Sequence, residues 1–170
     1  MSEKLEKLNR AAPEIAESRF LDCCGSRSWA RKMVEARPFE NAAALIEKAE
    51  QIWRNLEAED WLEAFAAHPE IGVRTDARQS AQFAEWSHTE QSGAHAAADT
   101  VLADLDEANR WYQKSFGYLF IVCATGKSAE QMLALCRRRL TNNADVEIRI
   151  AADEQQKITE IRLRKLLETV

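Results

Sequence analysis

The chain is short of the residues that break helices. Its 170 residues include five Gly and three Pro, about 5% together where ~12% is ordinary. Basic excess is missing too. The 23 Lys and Arg face 28 Asp and Glu, for a formal charge of −5 and a pI near 5.4. A nucleic-acid protein is usually basic. No apolar run approaches the ~18 residues that a membrane span needs. The opening MSEKLEKLNR carries charges of both signs and no apolar stretch, so no signal peptide is expected. The closing Glu-Thr-Val is neither a peroxisomal tripeptide nor a prenylation box. A soluble, cytoplasmic protein is the expectation. The four cysteines, Cys23, Cys24, Cys123 and Cys136, contain no C-x-x-C pair, so a thiolate zinc site has little support. Free, mostly buried thiols in a reducing compartment are expected.

What is abundant points to helices. Alanine, the best helix former, occurs 28 times. Apolar residues make up 46% of the chain and include five Trp and six Phe, enough for a packed core and too many for disorder. Pro13 suits the first turn of a helix running to about Cys24, with Gly25 as its stop. A second helix is expected from Ser26 or Arg27 to Ala36, ended by Arg37-Pro38. Asn41 is a good N-cap for a helix to about Leu56. Short helices are read over Asp60–His68 and Ala77–Trp86, and Ser87 then opens a long one to about Ser115. Residues 117–126 are rich in aromatic and β-branched types. A single strand there would have no partner, so the stretch reads as a buried extended connector. Ser128-x-x-Gln131 is a capping box opening a helix to about Leu140. Asn143 caps a last helix, Ala144 to Leu167, with Ile148, Ala151, Ala152, Ile158, Ile161 and Leu166 facing the core. No linker or repeat interrupts the chain. One compact all-α, multi-helix domain over residues 1–170 is expected.

Few residues invite chemistry. His68 lies between a helix and Pro69, where it is either a helix-ending imidazole or an acid, base or donor in a fixed loop. His88 and His95 are seven apart, not the spacing of a zinc-binding helix. Ser87-x-x-Glu90 has the form of a capping box, which alone would account for both residues. Gln91 beside it faces either a cavity or water. The run Arg137-Arg138-Arg139 reads as a solvated helix face, with an anion site as the lesser reading.

Several segments, in order along nearly the whole chain, take the reading further. They are Cys23-Cys24-Gly25-Ser26 with Trp29, Arg37-Pro38-Phe39, Trp61-Leu62-Glu63-Ala64-Phe65 and His68-Pro69-Glu70-Ile71-Gly72. Ser87-His88-Thr89-Glu90-Gln91 with Gly93 follows, then Asn109, Tyr112, Lys114, Phe116-Gly117, Phe120-Ile121 and Gly126. Arg139-Leu140, Asn142, Glu147, Glu154 and Ile161-Arg162-Leu163 complete the set. In this order and spacing they resemble the 2-oxo-4-hydroxy-4-carboxy-5-ureidoimidazoline (OHCU) decarboxylases, which end the oxidation of urate to allantoin. Ile71 stands where the family often has Leu, and Ser92 where Ala is common.

The resemblance implies an all-α homodimer that uses no cofactor and no metal. It implies that His68 is catalytic, with Glu90 and Gln91 flanking the substrate and Glu90 also serving the chemistry. Pro69, Ser87 and the segment Phe120, Ile121, Val122, Cys123 and Ala124 would line the site, and Arg162 would reach it. The expected activity is decarboxylation of OHCU to (S)-allantoin in urate catabolism, with uricase and hydroxyisourate hydrolase as pathway neighbours. Two other readings stand beside it. One is a lyase or hydrolase for a related ureido compound. The other is a non-enzymatic helical scaffold that binds partner proteins, with His68 and Glu90 as plain capping residues.

Overall fold

The computed structural model describes residues 3–71, 81–95 and 98–169, with the backbone alone at 94 and 95. Among these residues the chain is helical and forms no strand. In chain order the helices are α1 (Glu3–Arg10), α2 (Pro13–Cys23), α3 (Arg27–Glu35), α4 (Ala42–Arg54), α5 (Ala58–Ala66), α6 (Ala81–Glu90), α7 (Ser92–His95), α8 (Asp99–Phe116), α9 (Ala129–Arg139) and α10 (Ala144–Thr169). No helix among the described residues is long and apolar enough to cross a membrane. The contacts divide the chain into two compact units, one of Met1–Ala64 with Gln156–Val170 and one of Phe65–Gln155.

In the first unit, the cap expected at Asn41 forms, and Ser26 caps α3. The Ser26 hydroxyl accepts from Trp29 N–H at 3.2 Å, and Asn41 Oδ1 accepts from Ala44 N–H at 2.9 Å. Each satisfies one of the amides that a helix start leaves without a partner. Trp29 is fully buried, donates its indole N–H to the Ala49 carbonyl at 3.1 Å, and meets Phe20 edge-on. The N-terminal α1, which was not among the expected helices, is supported in two ways. Glu3–Lys7 and Glu6–Arg10 pair one turn apart. The Arg37 guanidinium then donates to the carbonyls of Leu8 at 2.9 Å and Ala11 at 2.8 Å, closing the helix end. The Arg37–Pro38 bond is cis.

In the second unit, α8 and α9 pack together through Leu105, Ala108, Tyr112, Met132, Leu133 and Cys136. Gly117 ends α8 in the left-handed region (φ 83°), where a side chain would be strained. The capping box at Ser128 and Gln131 is complete in both directions. Asn143 caps α10 through Val146 N–H at 2.9 Å.

Two expectations are corrected here. Ser87 does not open a helix: it lies inside α6, and its carbonyl accepts the Gln91 N–H at 3.1 Å. The long helix begins instead at Asp99. Phe83, Trp86, Ser87 and Glu90 recur at helical spacing on one buried face, so apolar anchoring carries α6 through Ser87. The helix is interrupted at Gln91, and within α7 a Cβ on Gly93 would stand 2.1 Å from the Lys127 carbonyl oxygen. The helix start expected at Ala77, and Gly72, lie outside the described residues.

The second correction concerns the arginine run. Arg137 and Arg138 are exposed, but Arg139 is buried against Glu147, with side chains 6% and 0% exposed. Glu147 also accepts from Tyr112 and, at 2.8 Å, from Asn142. Burial is tolerable because both ions find partners.

Candidate active site

The second unit holds most of the residues expected to act. His68 follows the end of α5, its N–H donating to the Phe65 carbonyl at 3.2 Å, and is half-buried, as is Pro69. Its imidazole Nε2 lies 2.7 Å from Oε1 of Gln155. An amide oxygen only accepts, so Nε2 carries the hydrogen. In the neutral ring the lone pair then sits on Nδ1, the geometry that a base or hydrogen-bond acceptor needs. The other side of the ring meets Phe83 of α6 at 5.4 Å between centroids.

Phe83 shares the buried face of α6 with Ser87 and Glu90, and Gln91 follows. These three polar residues are 1%, 8% and 9% exposed. With Ser87 inside the helix, a capping box no longer explains them. A carboxylate buried this far costs free energy unless a partner or a task holds it. His88 is exposed on the opposite side.

Within the connector expected over 117–126, residues 119–124 belong to no helix or strand, and Phe120 to Ala124 are all buried. No sheet holds it. Side chains do so instead. Arg139 Nη1 donates to the Ile121 carbonyl at 2.6 Å, and its guanidinium lies over the Phe120 ring at 4.7 Å. Glu154 Oε2 accepts from the Cys123 N–H at 2.7 Å, and Lys127 Nζ donates to the Cys123 carbonyl at 2.7 Å. Val122 between them bonds no described residue through its own N–H or C=O. A buried peptide group is costly unpaired, so that of Val122 calls for a partner beyond the described residues. Burial raises the Cys123 thiol above its usual range, Lys127 lowers it and the Glu154 and Glu90 charges raise it. Cys123 is therefore a neutral wall rather than a thiolate nucleophile.

These contacts close a circuit. His68 touches Gln155, and Glu154 beside it holds Cys123. Cys123 feels the charge of Glu90, and α6 returns through Phe83 to His68. His68, Ser87, Glu90, Gln91 and the connector thus belong to one neighbourhood. Arg162 is counted with the first unit. There it is fully buried, donates to the Asp22 carbonyl at 3.4 Å and lies near Cys24, whose thiol burial pushes up to about 11. Among the described residues no group of three or more His, Cys, Asp or Glu is disposed to hold a metal ion.

Sequence reasoning missed Gln155, Glu154 and Lys127 as parts of this site. A signal was present for the first. Gln155 stands one turn from Ala151 and Thr159, on a stripe that is buried though partly polar. A fully buried Gln on such a stripe implies a specific partner.

Fold and site together define an all-helical protein with a histidine–carboxamide pair beside a buried carboxylate. The profile of the OHCU decarboxylases matches residues 9–164, and the chain belongs to that family. It is 43% identical over 157 residues to the "Uric acid degradation bifunctional protein TTL" of Arabidopsis thaliana, covering 91% of this chain and 48% of that protein. It is 24% identical over 160 residues to the 2-oxo-4-hydroxy-4-carboxy-5-ureidoimidazoline decarboxylase of Haloferax volcanii, covering 94% and 93%. The chain therefore spans about half of the Arabidopsis relative and nearly all of the Haloferax one. A crystal structure of OHCU decarboxylase in the presence of (S)-allantoin superposes with a TM-score of 0.77 at 38% identity, covering 93% of this chain and 99% of that one.

Proposed function

We propose that the protein decarboxylates OHCU to (S)-allantoin in urate breakdown, without cofactor or metal, and that both units serve this one activity. The observation that carries the reading is the His68–Gln155 pair, with the connector held by the neighbouring Glu154 and the carboxylate of Glu90 buried on α6. The family profile, which runs through both units, supports it.

The substrate bears its carboxylate on a ring carbon that also carries a hydroxyl. When the C–COO⁻ bond breaks, CO₂ leaves and the electron pair remains on that carbon. The adjacent ring C=N takes it up, a C=C forms to the ureido-bearing carbon, and a proton then adds to that neighbouring carbon while the hydroxyl loses its proton and becomes the carbonyl. The substrate thus contains its own electron sink, and the protein's task is orientation and charge stabilisation. His68 hydrogen-bonds the hydroxyl–carboxylate end, with Gln155 fixing the ring. Glu90 and Gln91 take the ureido and ring N–H groups. Glu90 also governs which face receives the proton, and so the handedness of the product. Ser87, Pro69 and the Phe120–Ala124 connector line the site. Their apolar side chains exclude water, where a carboxylate is most comfortable before it leaves. Arg162 is assigned to the ligand's negative charge. The protein acts as a cytoplasmic homodimer beside uricase and hydroxyisourate hydrolase.

The test is an optical assay in which OHCU is generated in situ from urate and followed by ultraviolet absorbance and circular dichroism. Decay faster than the spontaneous rate, giving an optically active product and lost in His68→Ala, is the expected result. Decay at the spontaneous rate with folded protein rejects this substrate.

A further inference from the structure

We propose that Glu154 is a positioning residue for this reaction: its carboxylate, acting through the Cys123 amide, sets the aim of the 119–124 connector. The substrate's identity rests on the decarboxylase reading above.

The connector belongs to no helix or strand, so no ladder fixes it in place. Its path is set by three side chains. Arg139 and Lys127 hold carbonyls, at Ile121 and Cys123, and Glu154 holds the Cys123 N–H. A carboxylate accepting from an amide is charge-assisted and stronger than a neutral pair. Gripping Cys123 through both its N–H and its C=O fixes the rotation of the peptide groups on either side. One of them is the Val122 carbonyl, and the other runs to Ala124. The aim of Val122's carbonyl follows, while its N–H shares the peptide group whose Ile121 carbonyl Arg139 holds.

Glu154 also sits next to Gln155, the residue that fixes His68. Successive side chains on a helix diverge by roughly 100°. From adjacent positions of α10, the carboxylate therefore reaches the connector while the carboxamide reaches the imidazole. The two sides of the site are registered against one step of one helix. Glu154 is only half-buried, so its replacement does not empty the core.

The experiment uses the full chain and two variants, Glu154→Ala and Glu154→Gln. Kinetics on OHCU generated from urate are measured together with amide hydrogen exchange of residues 119–124. Gln retains an oxygen acceptor without the charge, and Ala retains neither. Glu154→Ala is expected to raise KM about tenfold with kcat within about threefold of the parent, the sign of lost ground-state binding. The Cys123 amide is expected to exchange about tenfold faster or more in that variant. Glu154→Gln restores KM to within about threefold and slows the Cys123 exchange again. Unchanged exchange in Glu154→Ala overturns the proposal, as does a Glu154→Gln variant as impaired as Glu154→Ala. An unchanged KM with faster exchange also overturns it, because the connector would then not aim at the substrate. If the parent protein leaves OHCU untouched, the decarboxylase reading fails. The exchange data then decide alone: faster Cys123 exchange in Glu154→Ala keeps the positioning role, and unchanged exchange removes it.

Discussion

The imidazole Nε2 of His68 and the amide oxygen of Gln155 stand 2.7 Å apart across 87 residues of sequence. Gln155 is fully buried, so this bond fixes both the tilt and the tautomer of the ring. Gln155→Leu, close in volume, removes the acceptor. With a net hydrogen-bond value of about 0.5–1.5 kcal/mol, turnover should fall roughly three- to tenfold, with more if the tautomer changes. Single-turnover rates of decarboxylation check it, and an unchanged rate would show that the ring is oriented by other contacts.

The Arg139–Glu147 pair makes a prediction about stability. Glu147→Ala leaves a buried guanidinium without its carboxylate and should cost about 3–5 kcal/mol. The double variant Arg139→Met with Glu147→Leu should lose less than the single variant, because no charge is stranded. Urea unfolding midpoints decide the order. A double variant weaker than Glu147→Ala would mean that the Ile121 contact of Arg139 matters more than the ion pair.

Gly93 is the close approach between α7 and Lys127, which closes the turn before α9 by donating its N–H to the Ala124 carbonyl. A Cβ there would stand 2.1 Å from the Lys127 carbonyl oxygen, so backbone must shift. Gly93→Ala should cost about 1–3 kcal/mol, the range for overpacking. Since Lys127 also holds the Cys123 carbonyl, KM should rise as well. Thermal unfolding and KM measured on the same preparation test the pair of effects, and a variant with parental values in both would refute the clash.

Alkaline pH should destabilise the protein. Burial, the leading cause in each case, lifts the thiol of Cys24 to about 11 and that of Cys136 to about 12. In the unfolded chain both ionise near 9.0. Above pH ~9 the unfolded state releases protons that the folded state retains, so stability falls as pH rises. Below that point the contribution is fully present. The melting temperature should be level from pH 7 to about 8.5 and drop beyond pH ~9, with a shallower drop in Cys24→Ala. Identical alkaline limbs for parent and variant would count against it.

Much of the fold was legible because its signals are local. Ser26, Asn41, Ser128 and Asn143 cap helices as their side chains demand, and Gly117 ends one as only Gly does easily. The connector was legible for the opposite reason: β-branched and aromatic residues stood in a context with no partner strand. The α6–α8 region misled because Ser87-x-x-Glu90 satisfies a capping pattern in letters while lying on the buried face of a helix already under way. Arg139 misled similarly, since three consecutive arginines point in three directions and only one turns inward. His68 and Glu90 were singled out by type and by resemblance. Gln155, Glu154 and Lys127 depend on contacts made across 4 to 87 residues, and only Gln155, one turn from Ala151 and Thr159, left a trace in the spacing.

The connector is held by individual side chains rather than by a ladder of peptide bonds, and that shapes how such a site changes over generations. In a sheet, altering one strand's path disturbs its neighbours. Here each fastening is a separate codon, at Lys127, Arg139 and Glu154, and none of them is required for the helices to cap. The aim of the connector can therefore drift by single substitutions at Lys127 or Glu154, whereas Arg139 is tied through Glu147 to the stability of the scaffold.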